Sequence, residues 1–243
     1  MKGVLLAGGT GTRLNPMTKL VNKHLLPVGK YPMIHYAIRK FQQAGIQEVL
    51  LVMGKHSAGM YIDYLGGGKD HGVRMTYRVQ EEAGGIAQAL ALAEGFVPDN
   101  EKFMVLLGDN LYEDSLAPAV EQFARQPEGA MVMLKEVPDP RRYGVPILHN
   151  ENILFIEEKP SVPKSNYSVT GIYMYDAGVF DIIRTIRPSQ RGELEITDVN
   201  NVYAAAGKLT YGVLQGWWTD AGTFSSLQEA GAKLLLSDEG DRR

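Results

Sequence analysis

One stretch constrains this chain more than any other: Gly3-Val4-Leu5-Leu6-Ala7-Gly8-Gly9-Thr10-Gly11-Thr12-Arg13-Leu14. The apolar run from Val4 to Ala7 has the length and residue types of a buried strand. It breaks directly into glycines and threonines, so the strand must end in a turn. Glycine opens backbone turns closed to other residues and lets a ligand approach closely. A loop of this kind can aim several backbone N–H groups at one point, a nest for phosphate oxygens. Arg13 adds a fixed charge and a planar donor fork suited to the same oxygens. Neither of the two best-known phosphate loops fits. Leu14 stands where a dinucleotide fingerprint has its third glycine, and no Gly-Lys-Ser/Thr closes the stretch. Taken alone, the residues fit equally well a glycine-rich strand-to-helix turn that holds no ligand.

The following chain repeats the strand-then-helix order. Pro32 opens a helical stretch with Ile34, Ile38 and Phe41 on one face, and Gly45 stands as its stop. The pattern predicts strands over 48–53, 73–79 and 103–107. It predicts a short helix over 58–65 and an alanine- and leucine-rich helix over 86–96. Such a βαβαβαβ order implies an α/β fold: a Rossmann-like, mostly parallel central sheet flanked by helices. Ligands of such sheets sit beyond the carboxyl ends of the strands. The glycine loop, Gln80 and Gly108-Asp109-Asn110 all fall at such ends. Further strands are predicted at 131–137, 168–175 and 209–214, and a hairpin pairs 143–148 with 152–157 through residues 149–151. Helices are predicted over 179–186, 196–206 and 224–236, and Ser237 to Arg243 reads as a frayed polar tail. No linker, repeat or low-complexity tract divides residues 1–243, which read as one domain.

A chain of 243 residues is long enough for one α/β domain with a sizeable core. The formal net charge is −3, with no basic excess to mark a nucleic-acid or membrane surface. A site for anions must therefore be locally basic. The chain has no cysteine, which excludes disulfides, cysteine nucleophiles and thiolate metal sites and fits a cytoplasmic protein. No uncharged apolar segment is long enough to cross a membrane.

Several residues could carry chemistry, and each has a plainer reading beside it. Asp109 follows a buried run and is placed to hold a hard cation, or else to cap a turn. Asp220, in Trp217-Trp218-Thr219-Asp220-Ala221-Gly222-Thr223, could share that cation or cap the last helix. Glu157-Glu158-Lys159-Pro160 ends a strand; Lys159 could follow a phosphate, or the four could form a solvated loop. Gln80 begins Gln-Glu-Glu-Ala-Gly-Gly-Ile-Ala-Gln. Its amide offers a donor beside an acceptor, which matches the imide edge of thymine or uracil. The glycines there could equally just start a helix. His35, His56, His71 and His149 are scattered and indicate no zinc site.

Leu6 to Leu14, then Pro16, then Lys23-His24-Leu25-Leu26-Pro27-Val28 together resemble the signature of the sugar-nucleotide pyrophosphorylases, and most of all their thymidylyl members. Gly108-Asp109-Asn110 and Trp218-x-Asp220-x-Gly222-Thr223 are similar to that family's two metal-binding motifs, with Ala221 where threonine is usual. Glu157 to Pro160, Gln80 to Gln88, Arg142 to Val145, Ser165 to Gly171 and Arg191 to Asp198 extend the match, which runs to about residue 227. The resemblance implies a nucleotide site of Gly8, Gly9, Gly11, Thr12, Arg13, Lys23, His24, Gln80, Gly85 and Asp109. His24 stands where many members have glutamine. It implies a sugar-phosphate site of Asn110, Tyr143, Gly144, Glu158, Lys159 and Val169. Mg²⁺ would lie on Asp109 and Asp220, and Arg13, Lys23 and Lys159 would be catalytic. Residues 1–110 would mainly hold the nucleotide and 111–243 the sugar phosphate.

The implied reaction joins dTTP to glucose 1-phosphate and releases pyrophosphate, at the head of deoxysugar (dTDP-rhamnose) synthesis, in a homo-oligomer. A uridylyl- or cytidylyltransferase on the same fold is the nearest rival, since Gln80 serves uracil as well as thymine. A non-catalytic nucleotide-sugar sensor would keep the pocket but need neither both aspartates nor Lys159. A NAD-dependent dehydrogenase is disfavoured by Leu14 and by Met53-Gly54-Lys55, which offers no acidic residue after the second strand.

Overall fold

The computed structural model describes residues 1–240. In chain order the strands are β1 (Lys2–Ala7), β2 (Pro27–Val28), β3 (Tyr31–Pro32), β4 (Glu48–Gly54), β5 (Arg74–Gln80), β6 (Lys102–Leu107) and β7 (Asn110–Tyr112). They continue as β8 (Ala130–Glu136), β9 (Gly144–His149), β10 (Asn152–Glu158), β11 (Tyr167–Asp176), β12 (Leu209–Val213) and β13 (Trp218–Asp220). The helices are α1 (Met33–Gln43), α2 (Ala58–Leu65), α3 (Ile86–Ala91), α4 (Ala117–Arg125), α5 (Val179–Thr185), α6 (Ile196–Ala205) and α7 (Phe224–Gly240).

Among the described residues the main sheet runs β10-β9-β11-β6-β1-β4-β5, with β8 beside β11 and β12 beside β8. Strands β6, β1, β4 and β5 are parallel. Strand β11 reverses direction against β6 and β8. Strands β1, β4 and β6 are apolar through their centres because both faces are covered, whereas β5, at the sheet edge, is RMTYRVQ and largely exposed. Val4 and Leu6 point into one core with α3, α5 and α6; Leu5 and Ala7 point into another with Ile34, Ile38 and Phe41 of α1. Two-residue alternation therefore appears as alternation between cores, not between core and water.

Register brings the carboxyl ends together. Leu6 pairs with Leu107, Ala7 with Met53, and Gly54 with Gln80. The glycine loop, Gln80 and Gly108-Asp109 thus emerge along one edge, as the sequence predicts. A small separate ribbon then joins distant parts of the chain: β13 pairs with β7, placing Asp220 opposite Asn110.

Three expectations need correction. The helix expected over 86–96 ends at Ala91; Ala93 N–H turns back to Leu90 O at 2.8 Å, and Gly95 adopts φ +77°. The stretch between β7 and β8, for which no element is expected, forms α4, which buries Ala119 and Phe123 and carries Pro118 in its first turn, where proline is tolerated. Helix α7 runs on to Gly240 and not into a frayed tail from Ser237, while the last three residues of that expected tail lie outside the described residues. The expected hairpin is present, with Asn150 and Glu151 as its two turn residues, both at positive φ.

Candidate functional site

Two adjoining cavities open at the carboxyl edge of the parallel strands. The smaller, about 230 Å³, is lined by Gly8, Gly9, Lys23, His24, Gln80 and Gly85, among others. The larger, about 710 Å³, is lined by Thr12, Arg13, Tyr143, Glu158, Lys159 and Asp220, with Asn110, Gly144 and Val169. Asp109, Leu107, Ile86 and Glu193 line both. Of the residues expected at the site, only Gly11 lines neither. Its φ of +67° makes the turn that starts Thr12–Leu14, and it sits against Lys23 and Thr18.

The smaller cavity owes its shape to close approaches at glycine. A Cβ on Gly8 would lie 2.1 Å from Gln80 Oε1. Gly85 adopts φ +103°, and a Cβ there would lie 2.5 Å from the backbone oxygen of Leu194. His24 is buried at 3% exposure, which together with the Lys23 charge pushes its pKa down to about 3. The ring is therefore neutral. Its Nδ1 is 2.9 Å from Asn22 Oδ1, an oxygen that also accepts from His24 N–H and Tyr61 O–H. An acceptor there fixes the proton on Nδ1 and leaves Nε2 as an acceptor.

Asp109 lines both cavities and Asp220 the larger, and the β7–β13 ribbon brings the two aspartates together. Ala221 N–H donates to Asp109 O at 2.9 Å. Lys23 Nζ donates to Asp109 Oδ2, and Asn110 Nδ2 to Asp109 Oδ1 at 3.0 Å. Burial alone would raise the Asp109 carboxyl, but Lys23 outweighs it and holds the group below the ordinary carboxylate range. Asp220 shifts the other way: burial, then the Asp109 charge, raise it. Arg13 and Arg142 approach Asp220 Oδ2 only at 3.7 and 3.9 Å. Asp220 Oδ1 is buried and accepts no hydrogen bond among the described residues. A buried carboxylate oxygen with no donor, beside a second carboxylate, is a donor set that fits a hard divalent cation. No cluster of three or more His, Asp or Glu forms among the described residues, so other oxygens would have to complete the shell.

In the larger cavity Lys159 Nζ is 3.1 Å from Glu158 Oε1, and its backbone sits at φ +47°. A non-glycine residue in that region is strained and is retained only where its surroundings impose it. Here Lys159 N–H is tied to Tyr143 O at 3.0 Å. Thr197 Oγ1 donates to Glu158 Oε2 at 2.6 Å, and Arg191 reaches Glu158 Oε1 at 3.7 Å. Asn110 lines this cavity, but its side chain is a brace. It donates to Asp109 and accepts from Gly171 N–H and Trp218 Nε1, both at 2.8 Å.

Sequence reasoning did not single out Arg142 on Asp220, Thr197 on Glu158, or Gln88, which accepts from Gln80 at 2.8 Å. All three lie inside stretches it had marked, and the contacts arise only from folding. The acidic residues Glu193 and Glu195, just before α6, pair with Arg191.

A family model described as nucleotidyl transferase matches residues 2–237. A glucose-1-phosphate thymidylyltransferase of Neisseria meningitidis serogroup A is 42% identical over 235 residues, covering 95% of this chain and 81% of that protein. A crystal structure from Bacillus anthracis, assigned as a glucose-1-phosphate thymidylyltransferase and in complex with a sucrose, is 54% identical. It superposes with a TM-score of 0.93 over 97% of this chain and 95% of its own. A UDP-glucose pyrophosphorylase complexed with UDP-glucose, at 24% identity, shares the fold with a TM-score of 0.85 over 97% of this chain and 98% of its own.

Proposed function

The chain belongs to the nucleotidyl transferase family, and from that premise we propose that it joins dTTP to α-D-glucose 1-phosphate, giving dTDP-glucose and pyrophosphate. The observation that carries this reading is Asp109 on the wall shared by two cavities, with Asp220 in the larger: one cavity is walled by Gln80 and the glycine loop, the other by Lys159 and Glu158.

The smaller cavity takes the thymidine part, with Gln80 and the backbone near Gly85 at the base. The triphosphate runs past Gly8, Gly9, Gly11 and Thr12 toward Arg13 and Lys23. The sugar lies against Tyr143, Gly144, Val169 and Asn110, with Glu158 at its hydroxyls. An oxygen of the sugar phosphate attacks the α-phosphorus. The new P–O bond forms as the α–β bridging bond breaks, and pyrophosphate carries away the electron pair. The attacking phosphate is already ionised at neutral pH, so no general base is needed. Positioning and charge neutralisation do the work. Lys159 holds the attacking phosphate, Arg13 faces the charge that builds on the triphosphate, and Lys23 supports the same oxygens from its seat on Asp109. Mg²⁺ held by Asp109 and Asp220 would neutralise phosphate oxygens that the side chains leave uncovered.

Pyrophosphate release by the purified protein with Mg²⁺ tests this, across dTTP, UTP, CTP, ATP and GTP against glucose, galactose and mannose 1-phosphates. The expected maximum is dTTP with glucose 1-phosphate. A maximum at UTP keeps the mechanism and replaces the base. Binding without release with any pair makes the protein a sensor. No helix among the described residues is long and apolar enough to cross a membrane. The reading puts the enzyme in the cytoplasm, where its triphosphate is made. We also propose a homo-oligomer, supported by the exposed Phe224, Leu235 and Leu236 of α7 and testable by light scattering.

A further inference from the structure

A short hydrogen-bond chain decides which end of the Gln80 amide faces the smaller cavity. Gly84 N–H donates to Gln88 Oε1 at 3.0 Å. A backbone N–H can only donate, so the Gln88 atom facing it must be the oxygen. The same oxygen is 2.8 Å from the Gln80 side chain, which must therefore present its NH₂ group. The other hydrogen of that group has Gly85 O at 3.4 Å. Both donors of Gln80 are committed toward α3 and its entry loop, and the carbonyl is turned the opposite way. That carbonyl oxygen lies on Gly8, at the cavity wall. Gln80 is only 7% exposed, so it has little room to rotate.

We propose that Gln88 is a positioning residue that locks Gln80 as a hydrogen-bond acceptor and thereby selects pyrimidine nucleotides whose ring N3 carries a hydrogen. The inference rests on the proposed nucleotide site. Thymine and uracil offer N3–H to Gln80 Oε1. Cytosine offers only a lone pair at N3, so two acceptors meet. A glutamine free to turn over could serve either base by exchanging its oxygen for its NH₂ group. With Gln88 anchored to Gly84, turning over would set the Gln80 oxygen against the Gln88 oxygen. The gain in discrimination comes from a residue that never touches the base.

Titration calorimetry with dUTP and dCTP, without sugar phosphate, isolates this edge, since the two differ only at N3 and C4. The wild-type protein should favour dUTP by roughly ten- to hundredfold, the range for one mispaired polar contact in a buried site. Gln88→Glu keeps an acceptor for both donors and should keep the preference. Gln88→Met keeps the length without an acceptor and should bring the two affinities to within about threefold. Gln88→Lys can only donate and should turn the Gln80 amide over, moving the preference toward dCTP; it serves as the second test if the methionine variant does not fold. An unchanged dUTP-to-dCTP ratio in the methionine or lysine variant overturns the proposal, even if both affinities fall, because Gln88 would then be merely structural. A wild-type protein that binds both equally also overturns it. Pyrophosphate release by the wild type from dTTP and glucose 1-phosphate, run alongside, reports separately on the reaction, so either conclusion can fail without the other.

Discussion

Gly85→Ala puts the architecture of the base pocket to a quantitative test. Gly85 sits at φ +103° and ψ 170°, a region that only glycine enters freely. Holding alanine there costs about 1–3 kcal/mol of backbone strain. The new Cβ would also meet Leu194 O, N and C at 2.5, 2.8 and 3.0 Å. These are backbone atoms that no rotamer change can move, which adds about 1–3 kcal/mol of overpacking. The loop has a cheaper escape. It is held to Leu194 by two hydrogen bonds, Leu194 N–H to Gly84 O at 2.8 Å and Ala87 N–H to Leu194 O at 3.1 Å. Giving up both costs roughly 1–3 kcal/mol, less than the 2–6 kcal/mol sum of strain and overlap. The loop should therefore retreat and the domain stay folded. At about 2–4 °C per kcal/mol for a chain of this size, Tm should fall by roughly 2–12 °C. The retreat carries Gln80's partners with it. The kcat/KM for dTTP at saturating glucose 1-phosphate should drop about ten- to hundredfold, while the KM for glucose 1-phosphate stays close to wild type. An alanine variant with wild-type Tm and wild-type kcat/KM for dTTP would refute the reasoning.

Three further perturbations probe the rest of the site. Lys159→Ala should lower kcat roughly 10²–10³-fold if the ammonium acts on the transition state; normal kcat with a raised KM would reduce it to ground-state binding. Lys23→Met strips the cation from the buried Asp109 carboxylate and should cost about 3–5 kcal/mol in urea denaturation, most of it recovered in Lys23→Met/Asp109→Asn; simply additive losses would contradict the pairing. His24 is neutral in the fold, its pKa lowered to about 3 by burial and Lys23. Below its ordinary value near 6.5 the unfolded chain gains a proton that the native state does not, so stability falls as pH falls through the range between the two. At pH 5 the loss from this group is about 2 kcal/mol, and His24→Gln should flatten that part of the stability profile. Parallel profiles for the two proteins would exclude His24 as its source.

Much of this was legible in the residues, for identifiable reasons. Val4 to Ala7, Val49 to Met53 and Phe103 to Leu106 are buried on both faces, so their apolar runs announce parallel strands, and the glycines and aspartate that follow them fall at one edge. Asp109 and Asp220 could be marked one at a time, but their meeting depends on the β7–β13 ribbon. Those two strands have three residues each, too short to leave a periodic signal. The alanine- and leucine-rich composition extended α3 past Ala91, where consecutive tight turns take over. Side-chain roles were least legible. The side chain of Asn110 accepts from Gly171 and Trp218, and Thr197, in the first turn of α6, holds Glu158. Each depends on a partner tens of residues away, and local sequence carries no record of it.

The central claim is a direct transfer between two substrates, without a nucleotide-bearing enzyme intermediate. Exchange of labelled pyrophosphate into dTTP, with and without glucose 1-phosphate, tests it most directly. The account predicts exchange when glucose 1-phosphate is present and none in its absence, because only the sugar phosphate can accept the thymidylyl group and hand it back. Exchange without the sugar phosphate would mean that a side chain takes the nucleotide, and no exchange under either condition would mean that this cleft does not perform the transfer.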